Sequence, residues 1–434
     1  MYPARTNASG QPHPSARTKS LRAVEWLNFF LADVQTGLGP FLAAYLAASG
    51  WNPARVGYIL TFGGLVTVAL QTPAGAVVDS VHSKRLVLAC NLALLVGGAL
   101  LLMGHSTTFS VYSAQLLIGS AAAFLAPTVA AITLGIVGTQ AFDSQFGRNQ
   151  GFNSAGNVFT ALLIAWVSYR LGYRAIFATA ALMAIPAALS LFSIDPSQID
   201  YATARGLVAP GSDGKAEGVS ALIKDRLLLY FLGAVFLFHL ANAAMLPQLG
   251  EMLSKDNLKK AAIFMSACVI VTQFVISISA AWIGKRAATK GRKRLLLIGF
   301  GVLPIRGVLY TLTHAAGALI AIQVLDGVAN AIFVVVAILV IKDLSQGTGR
   351  FNLAAGALAT TVGVGAALSN ALGGTLIQHS GYRASFLTLA AVALLAFAVL
   401  WLAVPETTPE VTNTSESSPE NKEATVASTA ISAD

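Results

Sequence analysis

Charge is what this sequence has least of. Asp, Glu, Lys and Arg make up 11% of its 434 residues, whereas a soluble domain carries about a quarter, and the mean hydropathy is +0.69. That shortage excludes a soluble enzyme, a disordered chain and a nucleic-acid-binding domain. Only two cysteines occur, Cys90 and Cys268, each inside an apolar run, so neither a disulfide framework nor a metal site is implied. No Gly-Lys followed by Ser or Thr is present, which argues against direct ATP coupling, and no cofactor is expected. What the chain does have is apolar surface: 55% of residues are hydrophobic and 39 are glycine. The net charge of +9 comes from short basic clusters between long apolar runs, the pattern of loops that orient a membrane protein.

A hydrocarbon core of roughly 30 Å takes about 20 apolar residues as a helix. Twelve spans are predicted by that measure, near 24–48, 55–78, 86–104, 109–137, 150–169, 174–193, 227–249, 261–283, 295–313, 315–341, 351–378 and 383–403. The runs are long and continuous rather than alternating, so they read as helices and not barrel strands. The fold class is an all-α polytopic membrane protein. Residues 1–22 form an N-terminal tail, 23–193 and 227–403 two six-helix bundles, 194–226 a polar linker, and 404–434 a Glu, Ser and Thr-rich tail expected to be disordered. The first 20 residues lack an apolar h-region, so span one is expected to be a retained signal-anchor. Of the 28 Lys and Arg, Arg55, Arg170, Arg174, Lys255, Lys259, Lys260 and Arg383 fall on one side of the predicted membrane, and all others except Arg306 on the other. The positive-inside rule then makes this a multi-pass plasma (cytoplasmic) membrane protein with both termini cytoplasmic. Lys255, Lys259 and Lys260 dissent as an outer loop, partly balanced by Glu251 and Asp256.

Shifting the chain by 209 residues aligns its two halves. Gly75, Lys84 and Arg85 fall on Gly284, Lys293 and Arg294, and Gly172-Tyr-Arg-Ala falls on Gly381-Tyr-Arg-Ala. Leu31 and Ala32 fall on Leu240 and Ala241, and at a shift of 208 Gln115 and Gly119 match Gln323 and Gly327. Two like-oriented six-helix bundles resemble the major facilitator superfamily of secondary transporters. The loop after span two resembles that family's signature: Gly75, Asp79 and the basic pair Lys84 and Arg85 match, while Ser80, His82 and Ser83 depart from it. The second copy keeps Gly284 and the basic end but has Ala288 at the acidic position. The resemblance implies a two-bundle, pseudo-symmetric fold and a conformational latch made by Gly75, Asp79, Lys84 and Arg85, with Arg148 as the partner of Asp79. A helix N-terminus does attract a carboxylate. The alternative is that Asp79 only ends a helix and the basic pair only sets topology. The Gly-Pro pair of the family's antiporters is absent from span five.

Ionisable groups inside a bilayer are costly and usually face a pathway. The candidates are Asp33, His239, Arg306 and Asp326. Spans one and seven line the cavity in this family, so Asp33, His239 and Asn242 are expected at a central site, with Asn28, Gln35, Gln115 and Gln323 adding neutral hydrogen bonding. Desolvation would let Asp33 exchange a proton, with Asp326 as a second proton-coupling candidate. Span nine is peripheral in the family, so Arg306 needs a partner, and a structural ion pair with Asp326 is the first reading. No cluster of nucleophile, base and metal ligands at one depth suggests an enzyme. The expected function is proton-coupled transport of a small organic solute by a monomer in the lipid bilayer, with export of neutral or cationic amphipathic compounds favoured. Uptake of a sugar, organic acid or metal chelate is the alternative, and a transport-dead receptor or scaffold a remote one.

Overall fold

Every regular element among the described residues is helical in the computed structural model, which describes residues 14–36, 38–104, 106–204, 225–255, 257–289, 291–345 and 351–407. The side chains of Asp33, Gln35 and Asp79 lie outside that description. In chain order the helices are α1 (Pro14–Thr36), α2 (Leu38–Ala48), α3 (Pro53–Ser80), α4 (Lys84–Met103), α5 (Thr108–Leu171), α6 (Ala175–Phe192) and the short α7 (Tyr201–Ala204). The second half holds α8 (Arg226–Asn242), α9 (Met245–Ser254), α10 (Leu258–Thr289), α11 (Arg292–Leu309), α12 (Ala316–Leu344) and α13 (Phe351–Ala403).

Twelve membrane crossings follow. α1 with α2 makes crossing 1 and α8 with α9 makes crossing 7. α5 holds crossings 4 and 5, joined at Gly138 with φ 74°, and α13 holds crossings 11 and 12, joined at Gly381 with φ 80°. Both joints need a residue without a Cβ, because an L side chain is strained at such φ. Among the described residues eight helical stretches are long and apolar enough to cross a membrane, and one of them, Leu353–Ala403, holds two crossings. Crossing 1 is described in two pieces. Crossings 5 and 9 fall short because one carries Gln145, Asn149, Asn153 and Asn157 and the other Arg292, Lys293, Arg294 and Arg306.

Several expected boundaries shift. The helix of crossing 1 starts at Pro14, ahead of the span expected from 24, and α5 continues as helix through residues 139–149, between the spans expected at 109–137 and 150–169. Those segments are polar, yet helical. Of the linker 194–226, residues 205–224 lie outside the described residues, but its start is ordered: Asp195 caps a 3-10 turn, Pro196–Gln198, and the Asp200 amide donates to the Gly135 carbonyl at 2.9 Å. Residues 404–407 of the expected tail are ordered too, for a reason given below; 408–434 lie outside the described residues.

The sequence repeat reappears as repeated geometry. Gly172 and Gly381 share a conformation, φ 91° and ψ 167° against φ 80° and ψ 172°, at the turns into crossings 6 and 12. A Cβ on Gly119 would stand 2.7 Å from the Gly63 carbonyl oxygen, and one on Gly327 3.2 Å from that of Thr272. Gly63 and Thr272 are 209 residues apart, so crossings 2 and 4 touch where crossings 8 and 10 do. Close approach through small residues is how membrane helices pack.

Between the halves, α3 runs antiparallel to the first part of α13. Gly57 meets Gly374, Gly64 meets Ala367 and Val68 meets Gly363, and Thr61 Oγ1 donates to the Ala367 carbonyl at 2.7 Å. Gly250 of α9 likewise faces the Pro40 carbonyl at the junction with α2. These contacts lie at the end of the bundle away from the chain termini, the far end. Beyond Val68 toward the near end, Gln71, Thr72 and Pro73 are exposed, as are Ala359 and Thr360 on crossing 11.

Polar clusters along the candidate pathway

Crossing 7 is interrupted at Ala243 and Ala244. Pro247 explains the position, since it has no N–H for the Ala243 carbonyl and its ring crowds that carbonyl. The freed groups find side chains. The Ala244 amide donates to Ser369 Oγ of crossing 11 at 2.9 Å, and Arg306 of crossing 9 reaches the Asn242 carbonyl at 3.5 Å and its Oδ1 at 2.5 Å. A cation at the C-terminal end of a half-helix meets its unpaired carbonyls and dipole favourably.

Arg306 is also ion-paired with Asp326 of crossing 10 and almost wholly buried, its side chain 2% exposed. Asn330 Nδ2 donates to Asp326 Oδ1 at 3.1 Å, Thr272 Oγ1 donates to Oδ2 at 3.2 Å, and the Met245 sulfur accepts from Arg306 Nη2 at 3.2 Å. Five crossings, 7 to 11, are therefore tied through one buried pair and one cap. Asn330, Thr272 and Ser369 were not selected from the sequence; Asn330 was findable, standing one helical turn after Asp326.

His239 lies one turn before the interruption, its Nδ1 3.0 Å from the Val235 carbonyl and its ring 4.6 Å from that of Phe333. It packs within the second half against crossings 10 and 11. Asn242 turns to Arg306 rather than across to crossing 1. Gln115 Nε2 donates to the Ile59 carbonyl at 3.5 Å, linking crossings 4 and 2, whereas its repeat counterpart Gln323 is fully buried and interacts with Cys268 of crossing 8.

The first half holds a cluster the sequence analysis missed. Gln145, Asn149, Asn153 and Asn157 recur every four residues, which places them on one face of crossing 5, and all are buried. Gln145 Nε2 donates to Glu25 Oε1 at 3.0 Å and to Asn149 Oδ1 at 3.1 Å, Asn149 donates to Thr133 at 3.0 Å, and Asn153 reaches the Asn28 carbonyl at 3.4 Å. Asn28 itself donates to the Val24 carbonyl at 2.8 Å. The period-four amide pattern was the available signal. It was obscured because residues 139–149 fall between two expected spans.

Arg148 pairs with Glu25 at 2.9 Å. Glu25 is buried on crossing 1, so Arg148 has a carboxylate partner besides the expected one, Asp79, whose side chain lies outside the described residues. A Cβ added at Gly75 would meet nothing within 4 Å. Lys84, expected in the latch or as a topology charge, is fully buried and donates to the Val78 carbonyl at the end of α3. Arg85 Nη2 donates to the Phe192 carbonyl at the end of α6 at 3.1 Å, and in the second half Lys293 Nζ donates to the Trp401 carbonyl at 2.7 Å. Phe192 and Trp401 are repeat counterparts. The basic ends of both loops thus cap the last helix of their own bundle. Glu406 orders residues 404–407 by accepting from the Arg292 amide at 2.8 Å, at the N-terminus of α11.

Two pseudo-equivalent bundles, sealed together at one end and carrying buried polar clusters at the depth of an interrupted helix, define a polytopic membrane transporter. The Major Facilitator Superfamily profile matches residues 26–303 and 286–432. An uncharacterized MFS-type transporter of Mycobacterium tuberculosis, from strains CDC 1551 / Oshkosh and ATCC 25618 / H37Rv, is 39% identical over 389 residues, covering 89% of this chain and 93% of the relative. The chain belongs to the Major Facilitator Superfamily. Solved structures share its fold: the nucleoside transporter NupG with a TM-score of 0.71, 14% identity and coverage of 89% of this chain and 99% of that one, and the peptide transporter POT with sulfate with a TM-score of 0.70, 14% identity and coverage of 92% and 95%. A bacterial homolog of the lysosomal transporter Spinster, inward-facing and occupied, has a TM-score of 0.68 at 13% identity, covering 90% and 97%.

Proposed function

We propose that this transporter is proton-coupled and exports a small neutral or cationic amphipathic solute by alternating access. The observation that carries the reading is the one-ended seal: α3 and α13 close together from Gly57 to Val68 and are exposed beyond it. A pair of rigid halves joined at one end is the geometry that rocking about a midplane site requires. With the termini cytoplasmic, the present state faces inward. The charge of the pathway supports the solute class. Arg306 is neutralised by Asp326, so it offers no unpaired guanidinium to a multiply charged anion, while Asn28, His239 and the crossing-5 amides supply neutral bonding.

Asp33 follows Ala32, which packs on Gly156 one residue before Asn157. That backbone position puts it at the upper end of the amide row, and we assign it proton exchange during the cycle. The test is flux of a solute panel into and out of proteoliposomes, with and without a pH gradient. Gradient-driven flux in the wild type that loses its dependence on the gradient in Asp33→Asn is expected. Flux indifferent to both would overturn the coupling assignment, and a gradient that drives inward solute movement alone would replace export with uptake.

A further inference from the structure

Glu251 was read from the sequence as a loop charge balancing nearby lysines. The structure instead places it in α9, 3% exposed, with Oε2 buried and unbonded. Its chain neighbour Gly250 is the residue that faces the Pro40 carbonyl, and α9 packs on α2 of the other half, so the helix that carries Glu251 is part of the seal between the halves. The elements packed on α9 are α2, α10 and α13. α2 brings only Tyr45, whose hydroxyl is engaged by Ser106 and Arg174. α10 brings buried Cys268 and exposed Lys259 and Lys260, and α13 brings Tyr382 and exposed His379 and Arg383. Lys255 follows α9, its ammonium 5.0 Å from the centre of the Tyr382 ring; the side chain of Asp256 lies outside the described residues. Among the described residues Glu251 makes no ion pair. Tyr382 is the repeat counterpart of Tyr173, whose hydroxyl donates to the Phe41 carbonyl at 2.8 Å, but the Tyr382 hydroxyl is buried and unbonded within electrostatic range of Glu251.

A carboxylate with a buried, unbonded oxygen is expensive, and protonation removes most of that cost. We propose that Glu251 is a proton-binding site of the far-end gate, loaded while the seal is closed and released when the halves part and water reaches it. The inference rests on reading that seal as one gate of an alternating-access cycle. It differs from the Asp33 assignment in site and in partial reaction: Glu251 links proton binding to closure of the far end itself, without solute. Because the closed form binds the proton more tightly, acid favours closure. The ratio of closed to open forms then changes by up to about tenfold per pH unit between the two forms' titrations.

The experiment uses full-length protein in liposomes with Cys90→Ser and Cys268→Ala, spin-labelled at Arg55→Cys and His379→Cys. Both positions are exposed at the far end, and the second also removes an imidazole from the pH response. Pulsed electron resonance distances are recorded from acid to mildly alkaline pH. The short-distance population is expected to fall as pH rises in the parent, to lose most of that response in Glu251→Gln, and to keep it with a displaced midpoint in Glu251→Asp. The proposal is overturned by a parent without pH response, by Glu251→Gln titrating like the parent, or, if that variant does not purify, by an unmoved midpoint in Glu251→Asp. A parent without pH response whose flux still depends on the gradient overturns it while leaving proton-coupled transport standing. Absence of any response together with gradient-independent flux overturns both.

Discussion

Arg306 and Asp326 cost most when separated. With Arg306→Ala the carboxylate stays buried with only Asn330 and Thr272 as donors, and breaking a buried pair in this way destabilises by about 3–5 kcal/mol. Thermal unfolding of purified protein should show a large drop in Tm for Arg306→Ala. The double variant Arg306→Met with Asp326→Leu should recover much of the loss, because it removes both charges from the low-dielectric interior. No recovery would mean that the pair does more than neutralise itself. Glu25 and Arg148 should behave differently, since the arginine side chain is 63% exposed. Arg148→Ala leaves the buried Glu25 carboxylate with the Gln145 amide as a donor, so Tm should fall there too, but by less than for Arg306→Ala because the guanidinium it removes is largely solvated and screened.

At the scale of the helix, the capping groups and the glycine joints carry the argument. Ser369→Ala leaves the Ala244 amide without its acceptor at the interruption of crossing 7, and an orphaned buried donor costs about 1–3 kcal/mol. Lower Tm with local loss of amide-exchange protection around 243–246 is the expected result. Gly172→Ala and Gly381→Ala should each cost about 1–2 kcal/mol, because both residues hold a φ that a Cβ penalises. Similar losses at the two sites, read as unfolding midpoints, would bear on the equivalence of the halves. A loss at one alone would count against it.

Across the whole molecule the register of α3 on α13 makes a conformational prediction. Continued toward the near end, the pairing that sets Gly64 on Ala367 and Val68 on Gly363 brings Thr72 opposite Ala359. Both are exposed now. A disulfide between Thr72→Cys and Ala359→Cys should form only when the near end closes, and once formed it should arrest transport, with recovery on reduction. Gly57→Ala acts in the opposite place: its methyl would collide with the Asn370 carbonyl, biasing the far end open. Labelling of a far-end cysteine by a membrane-impermeant reagent should rise in that variant; unchanged labelling would show that the seal can yield without parting.

Composition and run length alone determined that this chain crosses a membrane twelve times as two related bundles, because apolar length in a bilayer leaves the backbone almost no alternative to helix. The 209-residue repeat located equivalent glycines before any coordinates, since a left-handed joint or a touching helix pair tolerates little else. Partnership was decided by tertiary structure. Nothing local says that Arg306 caps crossing 7, that Lys84 turns inward to Val78, or that Arg148 answers Glu25, because each contact joins residues set side by side only when the bundle closes. Burial was decided there too: Glu251 has the sequence surroundings of a loop charge, and it becomes a sequestered acid only because α9 lies between α2, α10 and α13.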